Sequence, residues 1–126
     1  MESVGFMNYK EELARSFDGK TVLVTGHTGF KGGWLALWLE SLGARVIGYS
    51  LAPPTEPSFF NKTRLGSHVT DIRGDVLNFK ELFRVVDTYH PDFVFHLAAQ
   101  PLVRASYRNP RETFDVNVMG TANVLE

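Results

Sequence analysis

Val22-Leu23-Val24-Thr25-Gly26-His27-Thr28-Gly29-Phe30-Lys31-Gly32-Gly33-Trp34 is the stretch on which the fold turns. An apolar, β-branched run stops at a glycine. Two further glycines follow at three-residue steps, Gly29 and Gly32, and a helical pattern begins. A strand, a turn and a helix in that order make a cradle for the pyrophosphate of a dinucleotide. The chemistry needs these residue types. Gly26 permits a sharp departure from the strand tip. Gly29 lets a phosphate approach the backbone, and Gly32 lets the helix lie close on the strand. The helix N-terminus then offers unpaired N–H groups and a partial positive charge to the anion. The alternative is a purely structural glycine turn, and the clear strand and helix on either side favour the nucleotide reading.

Outward from that stretch, the bulk properties are those of one soluble domain. The chain has 126 residues, enough for a single core, with 44% hydrophobic and 21% charged residues. A net charge of −1 gives no reason to expect a nucleic acid or an anionic membrane as partner. The chain holds no cysteine, which excludes disulfides, thiolate metal sites and a cysteine nucleophile. No apolar run approaches the roughly 20 residues that span a bilayer, and the N-terminus lacks the apolar core of a signal peptide. A cytoplasmic location is expected.

The pattern predicts strands at residues 21–25, 45–49, 68–73 and 93–97, the last apolar enough to be buried on both faces. Helices are predicted at residues 31–42, 79–89, 101–107 and 111–126, with a short one at 59–64 after a loop rich in proline. Leu35, Leu37, Trp38, Leu39 and Leu42 suggest the buried face of the first of these, and Trp34 and Trp38 are expected to pack. Residues 1–18 read as a helical lead-in and 19–126 as the N-terminal part of a dinucleotide-binding domain. Alternating strands and helices imply an α/β fold, a doubly wound parallel sheet of the Rossmann kind with strand order 3-2-1-4. The glycine turn and Ala98-Ala99-Gln100 then meet at the crevice between strands one and four.

Thr25-Gly26-x-x-Gly29-x-x-Gly32, Gly74-Asp75 and His96-Leu97-Ala98-Ala99 together resemble the extended short-chain dehydrogenase/reductase superfamily. Gly26-His27-Thr28-Gly29-Phe30-Lys31-Gly32-Gly33-Trp34, Gly48-Tyr49-Ser50-Leu51-Ala52-Pro53-Pro54-Thr55, His96 through Arg104 and Asn117-Val118-Met119-Gly120-Thr121 narrow the likeness to sugar-nucleotide 4,6-dehydratases, those acting on CDP-glucose in particular. The resemblance covers nearly everything from Ser16 to Glu126. It implies a homodimeric enzyme that holds NAD, takes CDP-glucose, oxidises the sugar at C4, eliminates water across C5 and C6, and returns the hydride to C6. The product would be CDP-4-dehydro-6-deoxy-D-glucose, a precursor of bacterial surface deoxysugars.

The same likeness implies roles for single residues. Gly26, Thr28, Gly29, Phe30 and Lys31 would line the pyrophosphate, mostly through backbone N–H groups. His27 would touch ribose or phosphate, or else serve only the turn. Asp75 and Val76 would contact adenine, unless Asp75 is plain turn chemistry. Ser50 stands near where such sites usually carry an acid for the ribose 2′-hydroxyl, so preference for NAD over NADP is not written at that position. Leu97, Ala98, Ala99 and Gln100 would flank the nicotinamide ribose, and Asn117 would stand beside the cofactor inside a helix. Arg104 is a candidate for substrate phosphate, against a solvated basic face formed with Arg108 and Arg111. His96 reads as a satisfied core histidine.

The sequence departs from the family in one respect. Tyr9, Tyr49, Tyr89 and Tyr107 are followed four residues later by Leu13, Pro53, Phe93 and Arg111, so none starts the Tyr-x-x-x-Lys pair that moves the hydroxyl proton. The catalytic elements, the rest of the sheet and the substrate domain are expected beyond Glu126, and the segment alone is expected to be inactive. Two alternatives remain open: a related GDP-mannose 4,6-dehydratase or sugar-nucleotide 4-epimerase, and a non-catalytic dinucleotide-binding module.

Overall fold

A computed structural model describes residues 8–126. Residues 1–7, the start of the expected lead-in, lie outside the described residues. Helix α1 spans Tyr9–Phe17 and buries none of its residues fully. Its last residue, Phe17, lays its ring 5.2 Å from that of Phe93 and so joins the helix to the sheet.

Four parallel strands follow: β1 (Thr21–Thr25), β2 (Arg45–Ser50), β3 (Thr70–Arg73) and β4 (Phe93–His96), in the order β3-β2-β1-β4. The sheet order is the one the alternating pattern predicts. Strand β1 is central, pairing Val22 with both Val46 and Phe93. Because side chains alternate along a strand, Val22 and Val24 join one core and Leu23 the other. The first core adds Ala36 and Leu39 of α2 (Phe30–Ser41) and Phe60 of α3 (Phe59–Lys62). The second adds Ile47, Tyr49 and Val76, with Leu82 and Val85 of α4 (Phe79–Tyr89). Helices on both faces leave β1 out of water, and each such valine or leucine contributes about 2 kcal/mol.

Helix boundaries follow local chemistry. Asn78 caps α4, its Oδ1 accepting from Glu81 N at 3.3 Å, and His90 ends the helix in the left-handed region at φ 45°, just before Pro91. Beyond β4 come α5 (Val103–Arg108) and α6 (Pro110–Phe114), then a wide π turn over Asp115–Met119 and α7 (Gly120–Leu125). A single helix over 111–126 was expected; the π turn divides it. No helix among the described residues is long and apolar enough to cross a membrane.

Two packing expectations need correction. The residues of α2 buried against its neighbours are Gly32, Gly33, Ala36 and Leu39, with Leu42 buried just after the helix and Leu35 and Leu37 partly buried on the same core, so the expected leucines pack and the tryptophans do not. Trp34 and Trp38 are each 53% exposed. The first turns of α2 approach the strands so closely that Gly32 and Ala36 fit where a large side chain would not, and a helix apolar on every side does not announce which side that is. Strand β4 is also not buried on both faces: as the edge of the sheet it leaves Phe93 and Val94 41% and 44% exposed.

Candidate dinucleotide site

The site starts where β1 stops. Gly26 takes φ +77°, and a Cβ there would stand 2.8 Å from Ala98 N, so the position needs glycine for its backbone angle and for the strand tip beside it. Gly29 sits ahead of α2 in extended conformation, and no side chain caps the helix. The first backbone bond into α2 runs from Gly33 N to Gly29 O at 2.8 Å. The N–H groups of Phe30, Lys31 and Gly32 therefore have no partner inside the helix. An uncapped N-terminus with free donors and a positive dipole end fits a phosphate. The Lys31 side chain is exposed. Phe30 is exposed as well and sets its ring edge-on to Phe59 at 5.8 Å.

The His27 side chain goes elsewhere. The ring is fully buried behind the turn, its Nε2 donates to Asp71 Oδ1 at 2.8 Å, and it packs edge-on to Phe60 at 5.6 Å. It therefore offers no side-chain contact to ribose or phosphate. It crosses β2 at Gly48, where any Cβ would collide with the ring. Nδ1 has no hydrogen-bond partner. That leaves the ring neutral, because a protonated Nδ1 would be an unpaired cationic donor in the core. Burial, partly opposed by Asp71, pushes its pKa below histidine's ordinary value.

The tip of β2 is a small hydroxyl network. Thr28 Oγ1 donates to Leu51 O at 2.9 Å and is shared with Ser50 Oγ at 2.9 Å. Thr28 is thus fixed in the turn rather than directed outward. On the neighbouring strand tip, Asp75 Oδ1 accepts from Leu77 N at 2.9 Å, the turn chemistry that was the alternative to adenine contact. The backbone of that segment is held from two sides: Tyr49 Oη donates to Asp75 O at 2.9 Å and Asn123 Nδ2 to Val76 O at 2.8 Å. Val76 itself lies buried under Gly120.

The other wall of the crevice is the loop after β4. Thr25 Oγ1 accepts from Leu97 N and Ala98 N, both at 3.1 Å, so its own proton is free for His96 Nδ1 at 2.6 Å. His96 Nε2 then donates to Thr121 Oγ1 at 3.1 Å, and Thr121 donates to Asn117 O at 2.6 Å. This directed chain assigns a neutral His96 with the proton on Nε2, a satisfied core histidine as the sequence suggested. Asn117 in the π turn binds both backbone groups of one residue: its Oδ1 accepts from Gln100 N at 2.7 Å and its Nδ2 donates to Gln100 O at 3.1 Å. The Gln100 side chain does not face the crevice. It bonds Thr113 Oγ1 at 2.9 Å and accepts from Leu102 N at 2.7 Å, tying its own loop together. Leu97 and Ala98 are half-buried and Ala99 is exposed at the loop. Arg104 is exposed on α5, as are Arg108 and Arg111.

Thr25, Asp71, Thr113, Thr121 and Asn123 hold this site; Thr25 and Thr121 stand in the motifs without a role read for them, and the sequence does not single out the other three. One signal was available: Gly48 inside a strand marks a close approach, here by His27.

Burial lowers the pKa of His96 as it does that of His27. The unfolded chain then binds protons first as the pH falls through 6.5, and stability is lost from there down to the lower folded values. Asp71 adds nothing in that window. Although burial alone would raise its pKa, Arg73 and His27 hold it below 3.8, so its contribution is lost only at still lower pH. The urea midpoint is therefore expected to fall steadily between pH 7 and 5, and a midpoint that is flat or rises over that range contradicts the assignment of two neutral histidines.

Parallel order β3-β2-β1-β4, helices on both faces and a glycine turn opening onto α2 define this chain as a Rossmann-type α/β unit. The sequence profile of the family described as GDP-mannose 4,6 dehydratase matches residues 23–126, and the chain belongs to that family. It is 52% identical over 110 residues to the CDP-glucose 4,6-dehydratase of Salmonella typhimurium, covering 87% of this chain and 31% of that protein. The chain thus spans about a third of the length of the curated relatives it matches. Among solved structures, an epimerase from Methanothermobacter thermautotrophicus superposes with a TM-score of 0.77 at 32% identity, over 94% of this chain and 34% of the other. The UDP-glucose 4-epimerase of Thermus thermophilus, solved as its NAD complex, gives a TM-score of 0.74 at 28% identity over 83% and 32%.

Proposed function

We propose that this chain is the NAD-holding portion of a sugar-nucleotide 4,6-dehydratase that converts CDP-glucose to CDP-4-dehydro-6-deoxy-D-glucose and water. The observation that carries the reading is the uncapped N-terminus of α2, with three unpaired N–H groups in its first turn behind a glycine cradle. Support for the cofactor comes from the NAD-bound epimerase that shares the fold, and support for the substrate from the 52% identity to a CDP-glucose enzyme.

Within this reading residues 19–126 belong to the NAD-binding domain, with 1–18 leading into it. The N–H groups of Phe30, Lys31 and Gly32 bind the pyrophosphate, and Gly29 leaves room for it. The backbone at Asp75 and Val76 borders the adenine. The segment Leu97 to Gln100, held by Thr25 and Asn117, borders the nicotinamide ribose and keeps that wall in place. Arg104 is the candidate from this chain for a substrate phosphate. NAD, when bound, supplies the hydride acceptor that opens the sequence at C4 and the donor that closes it at C6. The proton-moving pair is assigned to the part of the enzyme outside this segment. A homodimer in the cytoplasm is the assembly and location the likeness supports.

The test is made on the complete enzyme. NAD binding is measured by calorimetry, and CDP-glucose and GDP-mannose are offered in separate incubations. Loss of one water from CDP-glucose alone is expected. Turnover of GDP-mannose alone would transfer the reading to the sister activity, and NAD binding without turnover of either sugar nucleotide would leave a binding module.

A further inference from the structure

In a dinucleotide fold the adenosine ribose 2′ position lies against the end of the second strand, where an acid about 20 residues after the glycines selects a free hydroxyl. Here that place is held by Ser50, and the register sets Arg73 of β3 directly beside it. A neutral serine with a neighbouring arginine is, on charge alone, a site for a 2′-phosphate. Two contacts reverse that reading.

The Arg73 guanidinium is already occupied. Its Nε donates to Asp71 Oδ1 at 3.0 Å and its Nη2 to Asp71 Oδ2 at 3.0 Å, a two-point pairing with one carboxylate. Its plane also rests 4.9 Å from the centre of the Phe60 ring. Asp71 is held in turn by His27 from behind. The second contact concerns Ser50. Thr28 spends its only proton on Leu51 O, so in their shared bond Ser50 is the donor. Ser50 therefore keeps lone pairs that accept from a ribose hydroxyl, and has no proton to offer a phosphate.

We infer that the joined tips of β2 and β3 select a dinucleotide with a free ribose 2′-hydroxyl, and that Asp71 is the residue enforcing this choice by occupying Arg73. The inference rests on the dinucleotide reading of the site and adds the specificity that Ser50 alone does not supply. His27 takes part as a positioning residue: it links the pyrophosphate turn to the carboxylate through the gap left by Gly48.

The test compares the affinities for NAD and NADP of the complete enzyme in four forms. The unmodified enzyme is expected to bind NAD at least about tenfold more tightly than NADP, the value of one good charged hydrogen bond. D71N keeps the side-chain volume, removes the competing charge and is expected to move the ratio about tenfold toward NADP. D71N combined with R73A is expected to lose that gain, because the freed guanidinium is its source. R73A alone leaves the carboxylate without its partner and is expected to hold the ratio or move it further toward NAD, so it tests the idea even if D71N folds poorly. Equal affinity of the unmodified enzyme for both dinucleotides, an unchanged ratio in D71N, or a move toward NADP in R73A would each overturn the inference. Binding of neither dinucleotide by the unmodified enzyme overturns the dinucleotide reading and this inference with it; NAD binding with an unchanged D71N ratio overturns this inference alone.

Discussion

Replacement of Gly32 by alanine is expected to weaken dinucleotide binding roughly a hundredfold and to cost about 3 kcal/mol of stability, the upper range for overpacking a close contact. The added Cβ would run into the carbonyl oxygen of Gly26 and stand 2.7 Å from its carbonyl carbon. Both obstacles are backbone, so no side chain can swing aside, and either the turn or the helix must move. That carbonyl accepts the bond from Gly29 N at 3.1 Å, the contact that shapes the cradle. A shift sufficient to admit a methyl group displaces the donors at the start of α2, and losing about 3 kcal/mol of anion binding weakens affinity roughly a hundredfold. Gly29→Ala is the informative control. Its backbone is ordinary, and its Cβ would meet only Gly26 O, at 3.3 Å. Stability should move little there while affinity for NAD falls, since the methyl enters the space left for the phosphate. Urea midpoints and NAD titrations of the two variants separate the effects; equal loss of stability in both would contradict the different roles given to these glycines.

Sheet order was legible because it follows from few choices. Four β-branched segments separated by helical ones, with right-handed crossovers, leave little besides 3-2-1-4 once the glycine turn fixes β1 near the centre. The cradle was legible for the same reason: its glycines answer to backbone geometry, which sequence spacing reports. Side-chain direction was not. His27 reads as a ligand when only its place in the motif is known, yet Gly48 lies 21 residues further on and opens the gap into which the ring turns. Gln100 is a polar residue just past a strand tip, but its side chain is committed to Thr113 and the Leu102 amide. Ser50 was readable as neutral; that its proton is committed to Thr28 depends on a bond between residues 22 positions apart. The tryptophans of α2 misled for a different reason. Periodicity rewards bulk, whereas a helix laid against a parallel strand at Gly32 and Ala36 is selected for the absence of bulk.

Asn117→Ala is expected to cost about 2 kcal/mol and to weaken NAD binding by about tenfold or more. The asparagine bonds both the N–H and the C=O of Gln100, and alanine leaves these two backbone groups of a half-buried residue without that partner. The cost stays below that of two fully buried losses because water can reach part of the site. The binding defect follows from position: Gln100 lies in the loop after β4, whose start is held by Thr25, and its other ties are side-chain bonds made within its own loop and to Thr113. The π turn at Asp115–Met119 is what presents the Asn117 amide to Gln100; a widened turn in mid-helix commonly marks such a place. Asn117→Asp distinguishes a lost bond from a wrong one. A carboxylate still accepts from Gln100 N but turns a negative oxygen toward Gln100 O, so at neutral pH it should bind NAD no better than the alanine variant. Once protonated, the carboxyl can donate to that oxygen. Relative to the unmodified protein at each pH, Asn117→Asp should therefore recover as the pH falls, while Asn117→Ala does not. Thermal melts and NAD titrations from pH 7.5 to about 4, into the ordinary carboxyl range, provide the comparison. If the two variants keep a constant ratio across that range, Asn117 does not hold Gln100 through the Nδ2 donor.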